Sequence, residues 1–408
     1  EHKEYEPLFA CAKECADKQN KKGFFVTCDT YVTMTDGTGI VHIAPAFGED
    51  DANVGRNYDL PFVQFVNEKG ELTEETPFAG IFVKKADPEV LKDLDARGQL
   101  FAAPKFEHEY PHCWRCDTPL IYYARESWYI RETAVKEDLI RNNNTVNWIP
   151  ESIGKGRFGN WLENIQDWAI SRNRYWGTPL PIWRSEDGEE ICIGSVEELY
   201  NEIEKAIAAG FMTENPYKKL GFEPGVYTKD NYEKIDLHRP YVDDITLVSP
   251  SGKPMKRESD LIDVWFDSGA MPYAQLHYPF ENKELVDSRT YYPADFIAEG
   301  VDQTRGWFFT LHAIATMIFD SVAYKAVVSN GLVLDKNGNK MSKRLGNAVD
   351  PFATIEKYGS DPLRWYMITN ASPWDNLKFD IEGVEEVRRK FFGTLYNTYS
   401  FFALYANV

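Results

Sequence analysis

The stretch from Asp295 to Leu334 restricts the fold more than any other part of the chain. Phe296-Ile297-Ala298 is a short apolar run that ends at Glu299-Gly300. Asp302 stands where it would cap a helix, and Trp307, Phe308, Leu311, Ala315 and Ile318 form that helix's apolar face. Residues 326–334 read as a second strand. Two strands joined through an amphipathic helix predict a parallel pair with the helix packed on its face, so the fold class read here is α/β. In such sheets ligands settle beyond the carboxyl ends of strands. Glu299 stands at such an end, Gly300 allows close backbone approach, and the helix N-terminus favours phosphate.

The 408 residues exceed one ordinary core, which predicts two or three domains. Residues 1–108 read as a small, strand-rich domain, with strand patterns over 23–47 and 61–83. A short helix follows there, capped by Asp87 with Pro88 at its first position and ended by Gly98. Residues 109–380 form the α/β domain, interrupted by a polar, loop-rich insertion at 184–260 and resumed by a buried strand at Asp263–Phe266. Helices open at Asp350-Pro351 and Asp361-Pro362. Over 381–408, Val384, Val387, Phe391, Leu395 and Tyr399 recur at helical spacing and begin a helical domain.

A net charge of −19 excludes a generic nucleic-acid coat but leaves room for RNA bound at a local basic patch, with salt-sensitive affinity. DNA is not an expected partner. Six scattered cysteines do not make a disulfide framework, and they fit a reduced, cytoplasmic setting. No apolar run is long enough to span a membrane. The opening Glu1-His2-Lys3 lacks a start methionine, so the chain is expected to be a segment of a longer protein.

Lys340-Met341-Ser342-Lys343-Arg344 follows the strand at 326–334 and the turn Lys336–Asn339. It resembles the KMSKS loop of class I aminoacyl-tRNA synthetases, with Arg344 in place of the commoner serine, a variation found within the isoleucine group. Two lysines on a mobile loop can reach triphosphate oxygens and neutralise charge as the α-phosphate is attacked. Glu299–Phe308 is similar to the adenylate-binding segment of the isoleucine and valine enzymes. The resemblance implies that Glu299 and Gly300 contact the adenylate, that Asp302 and Gln303 hold the amino acid or ribose, and that Trp307 walls the amino-acid pocket. Residues 262–269 resemble the family's DVWFDSG, which places Trp265 on the substrate side chain. Residues 168–183 resemble the ISRQRYWG stretch shared by the isoleucine, valine and leucine enzymes.

Residues 37–51 resemble the hydrolytic editing segment in its isoleucine-type wording. By that resemblance Asp51 holds the amino group of a mischarged amino acid, and His42 lies at the substrate. Read without it, His42 is a satisfied sheet histidine and Asp51 a helix cap. Editing has a physical cause, which the isoleucine enzymes themselves exemplify: one methylene in an apolar pocket is worth only about 1–3 kcal/mol, too little to reject valine.

The resemblance thus implies the second half of a Rossmann-type class I synthetase core. It adds the C-terminal part of an editing domain at 1–108 and the start of an anticodon-binding domain at 381–408. The implied activity is isoleucine–tRNA ligation with ATP and Mg2+, acting on isoleucine and tRNA(Ile), with a monomer expected. Lys343 is the expected principal residue of the activation step, with Lys340 supporting it. Cys113 and Cys116 form a knuckle with half the donors of a Zn2+ site; relatives complete it with an earlier CxxC. No HIGH tetrapeptide surrounds any of the seven histidines, so this chain alone is expected not to form adenylate. Gly154–Gly159 reads as a basic loop before a helix, facing the tRNA acceptor end, or as a solvated turn. Three other readings stand beside this one: a valyl-tRNA synthetase, a non-catalytic tRNA-binding relative, and an unrelated nucleotidyltransferase. The valine enzyme would carry Lys where His42 stands. The non-catalytic relative would have lost Lys340 and Lys343. The nucleotidyltransferase would not need residues 37–51.

Overall fold

The computed structural model describes residues 2–35, 38–105, 107–113, 116–342 and 345–406. Two compact units divide the chain, Glu1–Glu126 and Ser127–Val408.

The second unit is built on a parallel sheet of three strands, β1 (Asn147–Ile149), β2 (Ala294–Gly300) and β3 (Tyr324–Asn330). β3 is central, with Glu299 opposite Ser329 and Gly300 opposite Asn330 on one side, and Val328 opposite Ile149 on the other. The crossover from β2 to β3 runs through a 3-10 turn, Val301–Arg305, and the helix Trp307–Phe319, as the sequence pattern predicts. That helix is buried from Phe308 to Thr316, on all faces and not one. Its polar residues are therefore hydrogen-bonded inside the core: His312 Nε2 meets the Leu139 carbonyl at 2.9 Å, and Thr316 Oγ1 accepts from Asn142 Nδ2 at 3.2 Å. Trp148, Phe158, Phe308 and Tyr324 pack together in the same core. Burying each such side chain is worth roughly 1.5–3 kcal/mol. The Tyr324 hydroxyl, carried into the core with its ring, donates to the Phe308 carbonyl at 2.7 Å.

Residues 184–260 are more ordered than their composition suggests. A four-stranded antiparallel sheet runs in the order Glu190–Cys192, Ile182–Ser185, Pro254–Arg257, Thr246–Val248. It packs with the helix Val196–Ala208 around Trp183, Ile203, Leu247 and Met255. Polar residues fill half of Ile182–Ser185 and Pro254–Arg257, and two of them, Ser185 and Arg257, are buried, so no apolar alternation marks the strands and the segment reads as loop.

Asp263–Phe266 is not a strand. Asp263 accepts a hydrogen bond from the Trp265 N–H and caps the helix Val264–Ala274. Nor is Gly154–Gly159 a loop: Ile153–Phe158 is a π-helical turn with Phe158 fully buried, and Gly159 opens the next helix. A Cβ on Gly154 would sit 2.3 Å from the Trp148 ring, which is why the chain needs glycine there. Asp302 lies inside the 3-10 turn and does not cap. Instead Gln303 Oε1 accepts from the Trp307 N–H at 2.9 Å.

Asp350 does cap its helix, Pro351–Tyr358, accepting from the Phe352 and Ala353 N–H groups at 2.8 and 3.2 Å. Asp350→Ala is expected to cost about 1 kcal/mol, read as a lower midpoint in urea denaturation. The next helix, Ser360–Thr369, starts one residue before Asp361, with Gly359 as its cap. The final helical run, Ile381–Tyr405, buries Val384 but leaves Leu395 and Tyr399 exposed.

In the first unit the described residues hold three helices, Ala10–Lys18, Glu49–Asn57 and Val83–Ala96. The strands read over 23–47 and 61–83 occur among the described residues only as isolated bridges, such as Glu4 with Phe25 and Val66 with Leu72. Ile40 and Val41 are 85% and 49% exposed, so their alternation does not bury a face. The third helix starts at Val83, ahead of Asp87, and carries Pro88 inside it; Gly98, at φ 66°, follows its end as expected. No helix among the described residues is long and apolar enough to cross a membrane.

Candidate functional site

The carboxyl ends of the three parallel strands gather the predicted segments. β2 ends at Gly300 and opens the turn Val301–Arg305; its register partner Asn330 ends β3 and leads towards Lys340. β1 ends at Ile149 and leads into the Ile153–Phe158 turn, whose Arg157 Nε donates to Thr304 Oγ1 at 2.8 Å. Thr304 is fully buried, so this bond ties the first of these segments to the second. Glu299 and Asp302 are exposed at the edge, and Gln303 Nε2 donates to Asp302 Oδ2 at 3.1 Å. A Cβ at Gly300 would lie 2.6 Å from Asp302 Oδ1, so glycine is what lets that carboxylate fold back over the turn.

The segments that carry Trp265 and Trp307 lie against each other. The Trp307 indole donates to the Ser268 carbonyl at 2.9 Å, and a Cβ on Gly306 would be 3.2 Å from the Trp265 ring. Trp265 is 40% exposed, leaving apolar ring surface open beside the turn. Its helix is held from below by Asp263, which is buried and accepts from Trp168 Nε1 at 3.1 Å and forms an ion pair with Arg172. Thr178 Oγ1 adds a bond to Asp267 Oδ2 at 2.9 Å. Burial pushes the Asp267 carboxyl up, Thr178 opposes the shift, and Asp263 adds to it. These contacts stitch residues 168–178 to 262–268, two stretches noted separately in the sequence. Asp263 and Thr178 were not anticipated there as site residues.

Lys340 is exposed and paired through its backbone with Leu334. Its neighbour Met341 packs on the cluster of Tyr366, Leu377, Phe379 and Val384. Lys343 and Arg344 lie outside the described residues.

In the first unit Asp51 is the third residue of its helix, not the cap. Its Oδ2 accepts from the Ala44 N–H at 3.0 Å, which ties it to the segment that carries His42. His42 is exposed, so it is not a satisfied sheet histidine. Burial first, then Asp51, Asp29 and Asp50, raise the Tyr31 phenol, which places that unpredicted ring among these carboxylates. The Cys113 knuckle closes through Cys113 N–H to the Thr118 carbonyl at 2.8 Å. The Thr118 hydroxyl and amide, and then Cys113, hold the Cys116 thiol below its usual range. Two thiols are half a zinc set, and no group of three or more metal-binding side chains occurs among the described residues. These residues by themselves do not fit a zinc ion.

The family described as "tRNA synthetases class I (I, L, M and V)" matches residues 12–380. The chain belongs to this family. Among similar class I synthetases is the isoleucine–tRNA ligase of Bacteroides fragilis, 66% identical over 94% of this chain and 37% of that protein. That of Bacteroides thetaiotaomicron is 64% identical over 96% of the chain and 38% of that protein. That of Porphyromonas gingivalis is 62% identical over 94% and 37%. The chain therefore spans somewhat over a third of the length of these curated relatives. An α/β core of the class I synthetase type accords with the parallel sheet and its crossover helix.

Proposed function

We propose that this chain serves an isoleucine–tRNA ligase: ATP-dependent formation of isoleucyl-adenylate, transfer to tRNA(Ile), and hydrolysis of valine misattached to that tRNA. The observation that carries the reading is the 62–66% identity to proteins named isoleucine–tRNA ligase across nearly the whole chain. The geometry supports it, because the adenylate-type turn and the segments of the two tryptophans meet at the end of one parallel strand, and Lys340 follows the neighbouring strand in the same unit.

In this reading the isoleucine carboxylate attacks the α-phosphate of ATP and pyrophosphate leaves. A terminal ribose hydroxyl of the tRNA then attacks the acyl carbon, the bond to the adenylate phosphate breaks, and AMP leaves. Trp265 and Trp307 hold the aliphatic side chain, and Glu299 to Gln303 orient the adenylate. Lys340 and Lys343 stabilise charge on the departing phosphates, with Mg2+ accompanying the nucleotide. Positioning and charge stabilisation do the work, without a covalent nucleophile. Asp51 and His42 serve the separate hydrolytic site.

The test is amino-acid-dependent ATP–pyrophosphate exchange by the full-length protein, with isoleucine, valine, leucine and methionine compared. Exchange strongest with isoleucine is the expected outcome. Exchange with valine alone would move the assignment to the valine enzyme. Its absence with every amino acid would leave a non-catalytic relative.

A further inference from the structure

One side-chain amide closes the base of the loop that carries Lys340. Asn347 Nδ2 donates to Asp335 Oδ2 at 3.0 Å and to the Lys340 carbonyl at 3.2 Å. Its Oδ1 accepts from the Ser342 N–H at 2.8 Å. Asp335 turns its other oxygen, Oδ1, to the N–H groups of Asn337 and Asn339, at 2.9 and 2.8 Å. Asn347 therefore grips both arms of the loop at once, Asp335 on one and Lys340 with Ser342 on the other. The bridge between Leu334 and Lys340 closes the same base.

The direction of Lys340 follows from this grip. Met341 is drawn into the apolar cluster of Tyr366, Leu377, Phe379 and Val384. In extended chain successive side chains point to opposite sides, so a Met341 packed inward, partly buried, leaves Lys340 turned outward, where it is exposed. Methionine supplies depth, and the Asn347 amide supplies register.

We propose that Asn347 is a positioning residue for amino-acid activation, setting the backbone from which Lys340 projects towards the triphosphate. The proposal rests on the isoleucine-activating reading above. A loop ordered before ATP arrives spends less conformational entropy in reaching the transition state. The chemistry selects asparagine. Aspartate has the same shape but no donors, and would turn acceptor oxygens on the Asp335 carboxylate and the Lys340 carbonyl. Glutamine keeps the donors but displaces them by one methylene.

The experiment uses the full-length protein and two readouts. In isoleucine-dependent pyrophosphate exchange, Asn347→Ala should lower kcat about 30–100-fold and leave the KM for isoleucine within about twofold, because positioning acts on the reaction and not on the amino-acid pocket. Asn347→Asp should be at least as slow. Asp335→Ala should lose a similar amount, and the double variant should fall no further than the slower single, since the two residues act as one unit. Hydrogen–deuterium exchange of the 335–347 peptide should speed up about tenfold in Asn347→Ala without ATP, with the core peptides around Trp307–Phe319 unchanged.

Pyrophosphate exchange within about threefold of wild type in Asn347→Ala, or additive losses with Asp335→Ala, would overturn the proposal. So would slow pyrophosphate exchange with unaltered loop protection, which would make Asn347 a direct substrate contact. A wild-type protein without isoleucine-dependent exchange would overturn the functional reading and this role with it. A loop that still loosened in the variant would then mark Asn347 as a structural clamp only.

Discussion

Lys343→Ala in the full-length protein is expected to slow isoleucine-dependent ATP–pyrophosphate exchange about 10²–10³-fold, the usual cost of removing one preorganised group that stabilises transition-state charge. On the proposed reading, negative charge grows on the departing pyrophosphate and the loop cation meets it only at that stage. The loss should therefore fall on kcat, with the KM for isoleucine little changed. Lys340→Ala should cost about a hundredfold, no less than the Asn347→Ala variant that misplaces the same side chain. On the proposed reading, hydrolysis of valyl-tRNA(Ile) by the same variants should stay at the wild-type rate, since Asp51 and His42 belong to the first unit. Exchange within a few-fold of wild type in Lys343→Ala would remove the lysine from the chemistry and leave the loop a surface turn.

Periodicity decided which parts of this architecture were legible. The strand–helix–strand unit from β2 to β3 could be read because its apolar runs, glycine turn and helical spacing all agree. Asp263–Phe266 misled because Val, Trp and Phe favour strands, whereas one carboxylate accepting from the Trp265 N–H starts a helix. The insertion sheet was hidden by strands that are half polar. Glu299, Gly300, Trp265 and Trp307 announced themselves through local motifs. Asn347 did not, since its bond to Asp335 joins residues 12 apart in the chain, and Thr178 meets Asp267 across 89 residues. Pairings of that kind leave no repeating pattern. Asp302 failed as a cap for a related reason: a 3-10 turn intervenes, and the helix takes its acceptor from Gln303.

The second large effect concerns stability against pH in the Ser127–Val408 unit. Glu132 is 1% exposed and its Oε1 has no hydrogen-bond partner. Burial, with a contribution from Asp167, raises its carboxyl to about 8. The folded chain then keeps a proton that the unfolded chain releases, so this contribution is whole below about pH 4.5 and is lost as pH rises to about 8. Buried His312 acts in the opposite sense. Burial lowers its imidazole to about 4, with the Leu139 carbonyl opposing, so its contribution is whole above about pH 6.5 and is lost as pH falls towards 4. Between about pH 4.5 and 6.5 the slopes of these two groups oppose and offset each other. Above about pH 6.5 only Glu132 of the two still changes stability. Its whole shift is worth no more than roughly 5 kcal/mol, of which the part above pH 6.5 is about 2 kcal/mol. Glu132→Gln carries no charge at any pH and should hold its stability from pH 6.5 to 9 while the wild type declines. Every tryptophan except Trp114 lies in this unit, so tryptophan fluorescence during urea denaturation reports on it. Wild-type and Glu132→Gln midpoints that run parallel above pH 6.5 would mean that Glu132 ionises in the fold at no cost. Midpoints that diverge as pH rises would locate the alkaline limit of this core at one buried carboxyl.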